Sequence, residues 1–310
     1  MPKPLHVPLV FALLAVLAAC STESGSGGGD RAEDTPPYVS TSESADPGAL
    51  AAPDPTDGVL APFSDPGDPA PGSTIWPGKK SPPGAPKADP DGDPLYGARI
   101  AIDPGHYGGN ADHPEIIDKL VDVGTGTKAC DAIGTKTYDG SYPEHAFAWD
   151  VAQRLKTELE KAGAIVTFTR DSDSGVGPCI TDRAAIGNEA DLSVSLHADW
   201  GSTTGRGFHI MEPKLVNGYT DDIVHESHAL AVALRDALVG GKVVQTSTYM
   251  GTDGINPRSD MGGLILSDVP KVMVECANMR NTKDAALTKD PVWRQKLASA
   301  LAAGLRAYLA

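Results

Sequence analysis

Two histidines and two glutamates in this chain carry the side chains that metal-assisted hydrolysis uses. His106 lies just beyond the short apolar run of RIAIDPGHYGG, residues 99–109, and His197 falls near the end of the alternating run DLSVSLHAD. Glu275 sits inside the apolar run KVMVECANMRN, and Glu144 follows Pro143 at the head of a helical pattern. Two imidazoles and a carboxylate, His106, His197 and Glu144, make a zinc donor set that leaves one tetrahedral position for water. A carboxylate that is not a ligand, Glu275, is what metal-assisted hydrolysis needs as general base and acid. The four are far apart in sequence, and none has the local HExxH spacing of a helical zinc motif. By residue type alone they are either one metal centre or four unrelated strand-end and helix-start residues.

The elements that must position them can be read from periodicity and turn signals. Ile100 and Ile102 alternate in a first strand that stops at the Pro104-Gly105 turn. Residues 107–142, rich in Gly, Asp and Thr, read as a long loop. Phe147, Val151, Leu155 and Leu159 recur at helical spacing after Pro143, and Gly163 ends that helix. AIVTFTR reads as a second strand, a short helix surrounds Arg183, and DLSVSLHAD is a third strand with Leu192, Val194 and Leu196 on one face. GRGFHIME reads as a fourth strand, followed by a helix from Asp221 to about Val239 and an irregular Gly-rich stretch to Gly263. The last strand ends near Glu275, and DPVWRQKLASALAAGLRAYLA closes the chain as an amphipathic helix. Strands alternating with helices imply a single layered α/β domain, its twisted sheet mostly parallel or mixed and flanked by helices. In such sheets ligands collect beyond the carboxyl ends of the strands, where His106, His197 and Glu275 would all lie.

Other chemistry-bearing residues have plainer readings beside the functional ones. Asp103 either orients His106 or makes the turn. His145 either supports the metal ligands from behind or points away from Glu144 on its helix, toward the surface, and His209 faces either side of its strand. His225 and His228, three apart on a helix, either bind a metal or form a solvated helix face, and no carboxylate-and-turn context supports the metal. Asn278 and Arg280, just past Glu275, are candidate contacts for substrate carboxylates or else structural residues. Cys130 and Cys179 both lie in Gly-rich loops and form the economical disulfide, which leaves Cys276 as a buried free thiol; the alternative is that all three stay reduced.

The N-terminal third belongs to a different class of sequence. MPKPLHVPLVFALLAVLAAC has one basic residue, Lys3, then an apolar stretch to Ala19 and a cysteine, Cys20. This is a signal peptide, 1–19, and Leu17-Ala18-Ala19-Cys20 matches a lipobox, in which Cys20 is lipidated and anchors the protein to the outer face of the membrane; a plain secretory signal is the alternative. Residues 20–95 are rich in Ser, Gly, Pro and Asp, with 15 of the chain's 26 prolines and 13 acidic residues against 4 basic ones. Such a stretch cannot bury enough apolar surface to offset its chain entropy and is expected to be a disordered tether. The net charge of −15 excludes a nucleic-acid partner. Residues 96–310 are long enough for one core, with no internal repeat, and a monomer is expected.

The segments IDPGHYGG, YPEHAF, VSLHAD and VPKVMVECANMRN resemble, in order and spacing, the successive motifs of the zinc-dependent N-acetylmuramoyl-L-alanine amidases of the amidase-3 type. The resemblance covers residues 97–310. It implies the layered amidase-3 fold, one Zn2+ ion held by His106, Glu144 and His197, and Glu275 as the catalytic carboxylate. It also implies a peptidoglycan or muropeptide substrate, cleaved between N-acetylmuramic acid and L-alanine, in cell wall turnover and cell separation. The long insert at 107–142 and Asp199, where an Asn often follows the second histidine, depart from the usual pattern. Two other activities remain at this stage: a zinc peptidase acting within the stem peptide, and a non-catalytic peptidoglycan-binding lipoprotein that kept the fold.

Overall fold

The computed structural model describes residues 92–310. The signal peptide 1–19, Cys20 and the tether as far as residue 91 lie outside the described residues. The described chain runs through β1 (Arg99–Pro104), a 3-10 turn (Asn110–Asp112), α1 (Pro114–Ile117), β2 (Leu120–Asp122), β3 (Thr127–Ala129) and α2 (Glu144–Lys161). It continues through β4 (Ile165–Phe168), α3 (Ile180–Gly187), β5 (Leu192–Asp199), β6 (His209–Pro213) and α4 (Val224–Gly240). It ends with β7 (Ile255–Arg258), α5 (Gly262–Ile265), β8 (Lys271–Asn278), α6 (Thr282–Lys289) and α7 (Pro291–Leu309). Six strands form one sheet in the order β4-β1-β5-β8-β6-β7, and β2 and β3 pair as a separate hairpin. β4, β1, β5 and β8 are parallel, while β6 is antiparallel to β8 and parallel to β7. The sheet is therefore mixed and mostly parallel, as the sequence pattern implies.

Alternation along the central strands separates two kinds of surface. Ile100, Ile102, Leu192, Val194, Leu196, Val272 and Val274 are fully buried. They form one core with Phe147, Val151, Leu155 and Leu159 of α2, Leu230 and Leu234 of α4, and Leu297, Leu301 and Leu305 of α7. The stripe on α2 is the one its spacing predicts. The intervening strand residues Asp103, Ser193, Ser195 and Lys271 are buried and polar; α3 packs on β1 and α5 on β6 and β8.

That polar layer corrects both readings of Asp103, which neither touches His106 nor makes a turn. It is a buried β1 residue whose carboxylate accepts hydrogen bonds from Thr169 Oγ1 at 2.7 Å, Arg183 Nη1 at 3.0 Å and Ser195 Oγ at 3.0 Å, with Lys271 Nζ at 3.5 Å. Burial works against its charge, but Lys271 and Arg183 hold the carboxyl below the usual carboxylate range. Its folded pKa is depressed, so its contribution to stability is present above the unfolded value of about 3.9 and is lost as pH falls below it. Asp103→Asn leaves two buried cations short of a counter-charge and is expected to lower stability by about 3–5 kcal/mol near neutral pH, measured by urea unfolding. The difference from wild type should shrink as the pH is lowered.

Several boundaries differ from the sequence reading. The domain starts before residue 96, because Leu95 is fully buried in the core and Asp93 pairs with Arg306 of α7 at 3.0 Å. The 107–142 segment contains the 3-10 turn, α1 and the β2–β3 hairpin. Its strands are three residues long, and Leu120 is 70% exposed, so no apolar alternation marks them. The Gly-rich stretch before Gly263 contains β7 and leads into α5, four residues each. α6 forms between the last strand and the closing helix, capped by the Asn281 side chain, which accepts from the Lys283 and Asp284 amides.

Candidate metal centre and active site

β1, β5 and β8 are neighbouring parallel strands, so their carboxyl ends lie side by side. His106 follows β1 by two residues and adopts a left-handed φ of 58°. A non-glycine residue held there is strained, a feature that collects at functional sites. Its Nδ1 donates to the Ala132 carbonyl at 3.0 Å, which turns Nε2 toward Glu144 Oε1 at 3.2 Å. His197 in β5 turns its Nδ1 edge to the same oxygen at 2.9 Å. Two backbone amides fix the carboxylate: Ala198 N–H donates to Oε1 at 3.1 Å and Thr135 N–H to Oε2 at 2.8 Å. Glu144 is also the first residue of α2, where the helix dipole favours an anion.

Two glycines make the approach possible. A Cβ at Gly105 would lie 2.2 Å from the His197 ring, and one at Gly134, whose φ is +80°, 2.6 Å from the ring of His106. The two imidazoles meet edge-on with centroids 4.9 Å apart. Burial opposes charge on His106, but the adjoining Glu144 carboxylate and then Asp131 push its pKa up to about 9. Burial likewise opposes charge on Glu144, and the two imidazoles nevertheless hold its carboxyl well below the usual range.

One ligand atom from each of His106, Glu144 and His197 lies within 4.8 Å of the others. Bonds of about 2.0–2.1 Å in a tetrahedron give ligand–ligand edges of roughly 3.4 Å, close to the two contacts made by Glu144 Oε1. The donors thus fit a zinc-sized cation in chemistry and in spacing.

Glu275 is the direct register partner of His197 on β8. It is buried, and its Oε2 has no hydrogen-bond partner. Burial pushes its pKa well up, Asp199 and Glu144 push the same way, and Arg258 opposes them. A carboxyl so placed carries a proton nearer neutral pH than an ordinary glutamate.

Cys130 and Cys179 are joined, and Cys276 is a buried free thiol. The bridge ties the end of the β2–β3 hairpin to the N-terminus of α3, and the two residues after Cys130 serve the site. Ala132 accepts from His106, and Asp131 pairs with Arg183 Nη2 at 3.1 Å. Arg183 also donates to the carbonyls of Pro104 at 2.8 Å and His106 at 3.1 Å, clamping the exit of β1. Sequence reasoning missed Asp131, Ala132 and the role of Arg183; a lone arginine inside a short apolar helix was the available signal. Replacing both bridged cysteines with serine is expected to lower unfolding free energy by about 2–5 kcal/mol. It should also weaken metal retention, read by metal analysis after dialysis.

Two other sequence expectations need correction, His145 and Asn278, and the open reading of His209 is resolved. His145 is half-buried rather than a surface residue, with Nδ1 3.0 Å from both Asp173 carboxylate oxygens. Asn278 is not placed to meet substrate: it is fully buried, its Oδ1 accepts from Gly201 N and Arg280 N, and its Nδ2 donates to Ser202 O and Gly205 O. Those four bonds use every site an amide has. His209 faces inward and is fully buried. Arg280 is exposed, its guanidinium 5.5 Å from the Trp200 ring. His225 and His228 take no part in the cluster, and His228 pairs with Glu212 at 2.9 Å.

A mixed α/β sheet that gathers two imidazoles around one carboxylate, with a second, buried carboxyl on the next strand, has the layout of a metal-assisted hydrolase. The chain belongs to the N-acetylmuramoyl-L-alanine amidase family, whose model matches residues 100–307. It is similar to the N-acetylmuramoyl-L-alanine amidase Rv3717 of Mycobacterium tuberculosis, 38% identical over 224 residues that span 70% of this chain and 88% of that protein. The crystal structure of the N-acetylmuramyl-L-alanine amidase Ami1 from Mycobacterium smegmatis superposes with a TM-score of 0.65 at 40% identity, covering 69% of this chain and 98% of Ami1. The apo form of Ami1 from Mycobacterium abscessus gives a TM-score of 0.65 at 39% identity, covering 69% of this chain and 100% of that one.

Proposed function

We propose that the protein is a zinc-dependent peptidoglycan amidase of the cell envelope. It hydrolyses the amide between the lactyl carbonyl of N-acetylmuramic acid and the L-alanine of the stem peptide, and serves cell wall turnover and cell separation. The observation that carries this reading is Glu144 Oε1 lying 3.2 Å from His106 Nε2 and 2.9 Å from His197 Nδ1, with Glu275 one strand away. His106, Glu144 and His197 hold the ion. A bound zinc supplies the positive charge that acidifies water and polarises the scissile carbonyl. Glu275 takes the proton of the attacking water as the new C–O bond forms. It then gives that proton to the alanine nitrogen as the C–N bond breaks, releasing a carboxylate and a free amine. Arg280, exposed beside Trp200 past the ends of β5 and β8, offers a cation to the stem-peptide carboxylates.

Cys20 is the proposed lipid attachment point, with residues 20–91 tethering a monomeric catalytic domain to the outer face of the membrane. Among the described residues no helix is long and apolar enough to cross a membrane. Cys20→Ser should therefore shift the protein from the membrane to the soluble fraction; an unchanged membrane fraction would remove the anchor from the account.

Mass spectrometry of muramyl dipeptide incubated with the zinc-loaded protein tests the bond specificity. Free N-acetylmuramic acid and intact dipeptide are the expected products. Cleavage after alanine would make the protein a peptidase. No product, repeated on whole peptidoglycan, would leave a binding protein.

A further inference from the structure

His209 lies in β6, directly opposite Glu275 in the antiparallel β6–β8 pair. Glu275 is in turn the register partner of His197, so the three form one row across β5, β8 and β6. Directly paired residues carry Cβ atoms about 4.5–5.5 Å apart on the same face of a sheet. His209 is fully buried, and neither ring nitrogen has a hydrogen-bond partner in the protein; nor has Glu275 Oε2. These three orphaned polar atoms thus belong to two residues paired across adjacent strands, one of them the proposed proton carrier. Buried polar groups in native folds take partners from protein or from ordered water.

The surroundings of His209 are built to hold a neutral ring in place. Its ring lies edge-on to Tyr249 at 6.0 Å, and the Tyr249 hydroxyl is anchored by donating to Asp199 Oδ2 at 2.9 Å. Burial and then Arg258 keep the imidazole uncharged, down to about 4, against the pull of Asp199. A neutral imidazole offers one N–H donor and one acceptor. It can fix a carboxyl in either protonation state, whereas a cation here would favour the carboxylate alone.

We propose that His209 is a positioning residue for Glu275, its ring N–H holding Glu275 Oε2 through one bridging water. The carboxyl is thereby aimed along the sheet toward the metal ligands instead of rotating freely in its pocket. The inference rests on Glu275 being the proton carrier, and the experiment keeps the two claims apart.

The test is steady-state kinetics on muramyl dipeptide for wild type, Glu275→Gln, His209→Phe and His209→Gln, with zinc content and thermal midpoint measured on each. His209→Phe keeps the ring shape without nitrogens and is expected to lower kcat about 10- to 100-fold, the scale of a catalytic group misplaced by about an ångström. KM and zinc content should stay near wild type. His209→Gln restores a neutral donor and acceptor and is expected to recover most of kcat, which a purely packing role would not give. Wild-type kcat in a folded His209→Phe protein, with Glu275→Gln inactive, would overturn the positioning role and leave the proposed function standing. An active Glu275→Gln would overturn both. If His209→Phe does not fold, His209→Met and His209→Gln decide: equal kcat in the two contradicts the proposal, and a several-fold advantage for Gln supports it.

Discussion

Glu275→Gln is expected to leave the fold and the bound metal intact while kcat on muramyl dipeptide falls by about 10²- to 10⁴-fold, the range for loss of a general acid–base group. Glutamine has the shape of the glutamate but cannot carry a proton between water and the leaving nitrogen. Its amide also tolerates the buried position, because the site already favours an uncharged carboxyl there. KM should change little, because the role proposed for Glu275 is proton transfer and not substrate binding. Metal analysis and a thermal melt on the same preparation separate lost chemistry from lost structure. A folded, zinc-loaded Glu275→Gln protein with wild-type turnover would mean that another group moves the proton.

Removal of His106 should strike the metal first and the chemistry through it. Because His106 sits at φ 58°, His106→Ala would add backbone strain to the loss of a ligand. His106→Asn is the cleaner variant, because asparagine tolerates the left-handed region. The variant should lose its zinc on dialysis and lose activity at least as fully as Glu275→Gln, while residues outside the site keep their structure. The expected order is informative: zinc content falls for His106→Asn and stays at one equivalent for Glu275→Gln. Unchanged zinc in a folded His106→Asn protein would remove His106 from the ligand set.

The parts of this fold that sequence makes legible are those with a period. Val151, Leu155 and Leu159 place α2 against the sheet, and the alternation in β5 sets Leu192, Val194 and Leu196 on the core face, with His197 at the far end of the strand. From there the site follows, because parallel strands beside one another end together. The short elements carry no such signal: β2 and β3 are three residues long and exposed, and β7 and α5 are four. Nor does periodicity show pairing between distant charges. The Asp103–Arg183 contact joins residues 80 apart, and the hydrogen bond from His106 to Ala132 depends on how the hairpin segment folds back. His209 shows the same limit from the other side. Its strand was legible, but its pairing with Glu275 is a matter of antiparallel register, which appears only in the folded sheet.

A zinc ion held by His106, Glu144 and His197 is proposed to drive hydrolysis of the muramyl–alanine amide. The most direct test is to strip the protein with a chelator, confirm the metal is gone, and titrate zinc back while following release of dipeptide from muramyl dipeptide. The expected result is an inactive apoprotein whose activity climbs linearly and levels at one equivalent of zinc. A metal-free protein that cleaves the same amide as fast as the reconstituted one would contradict it.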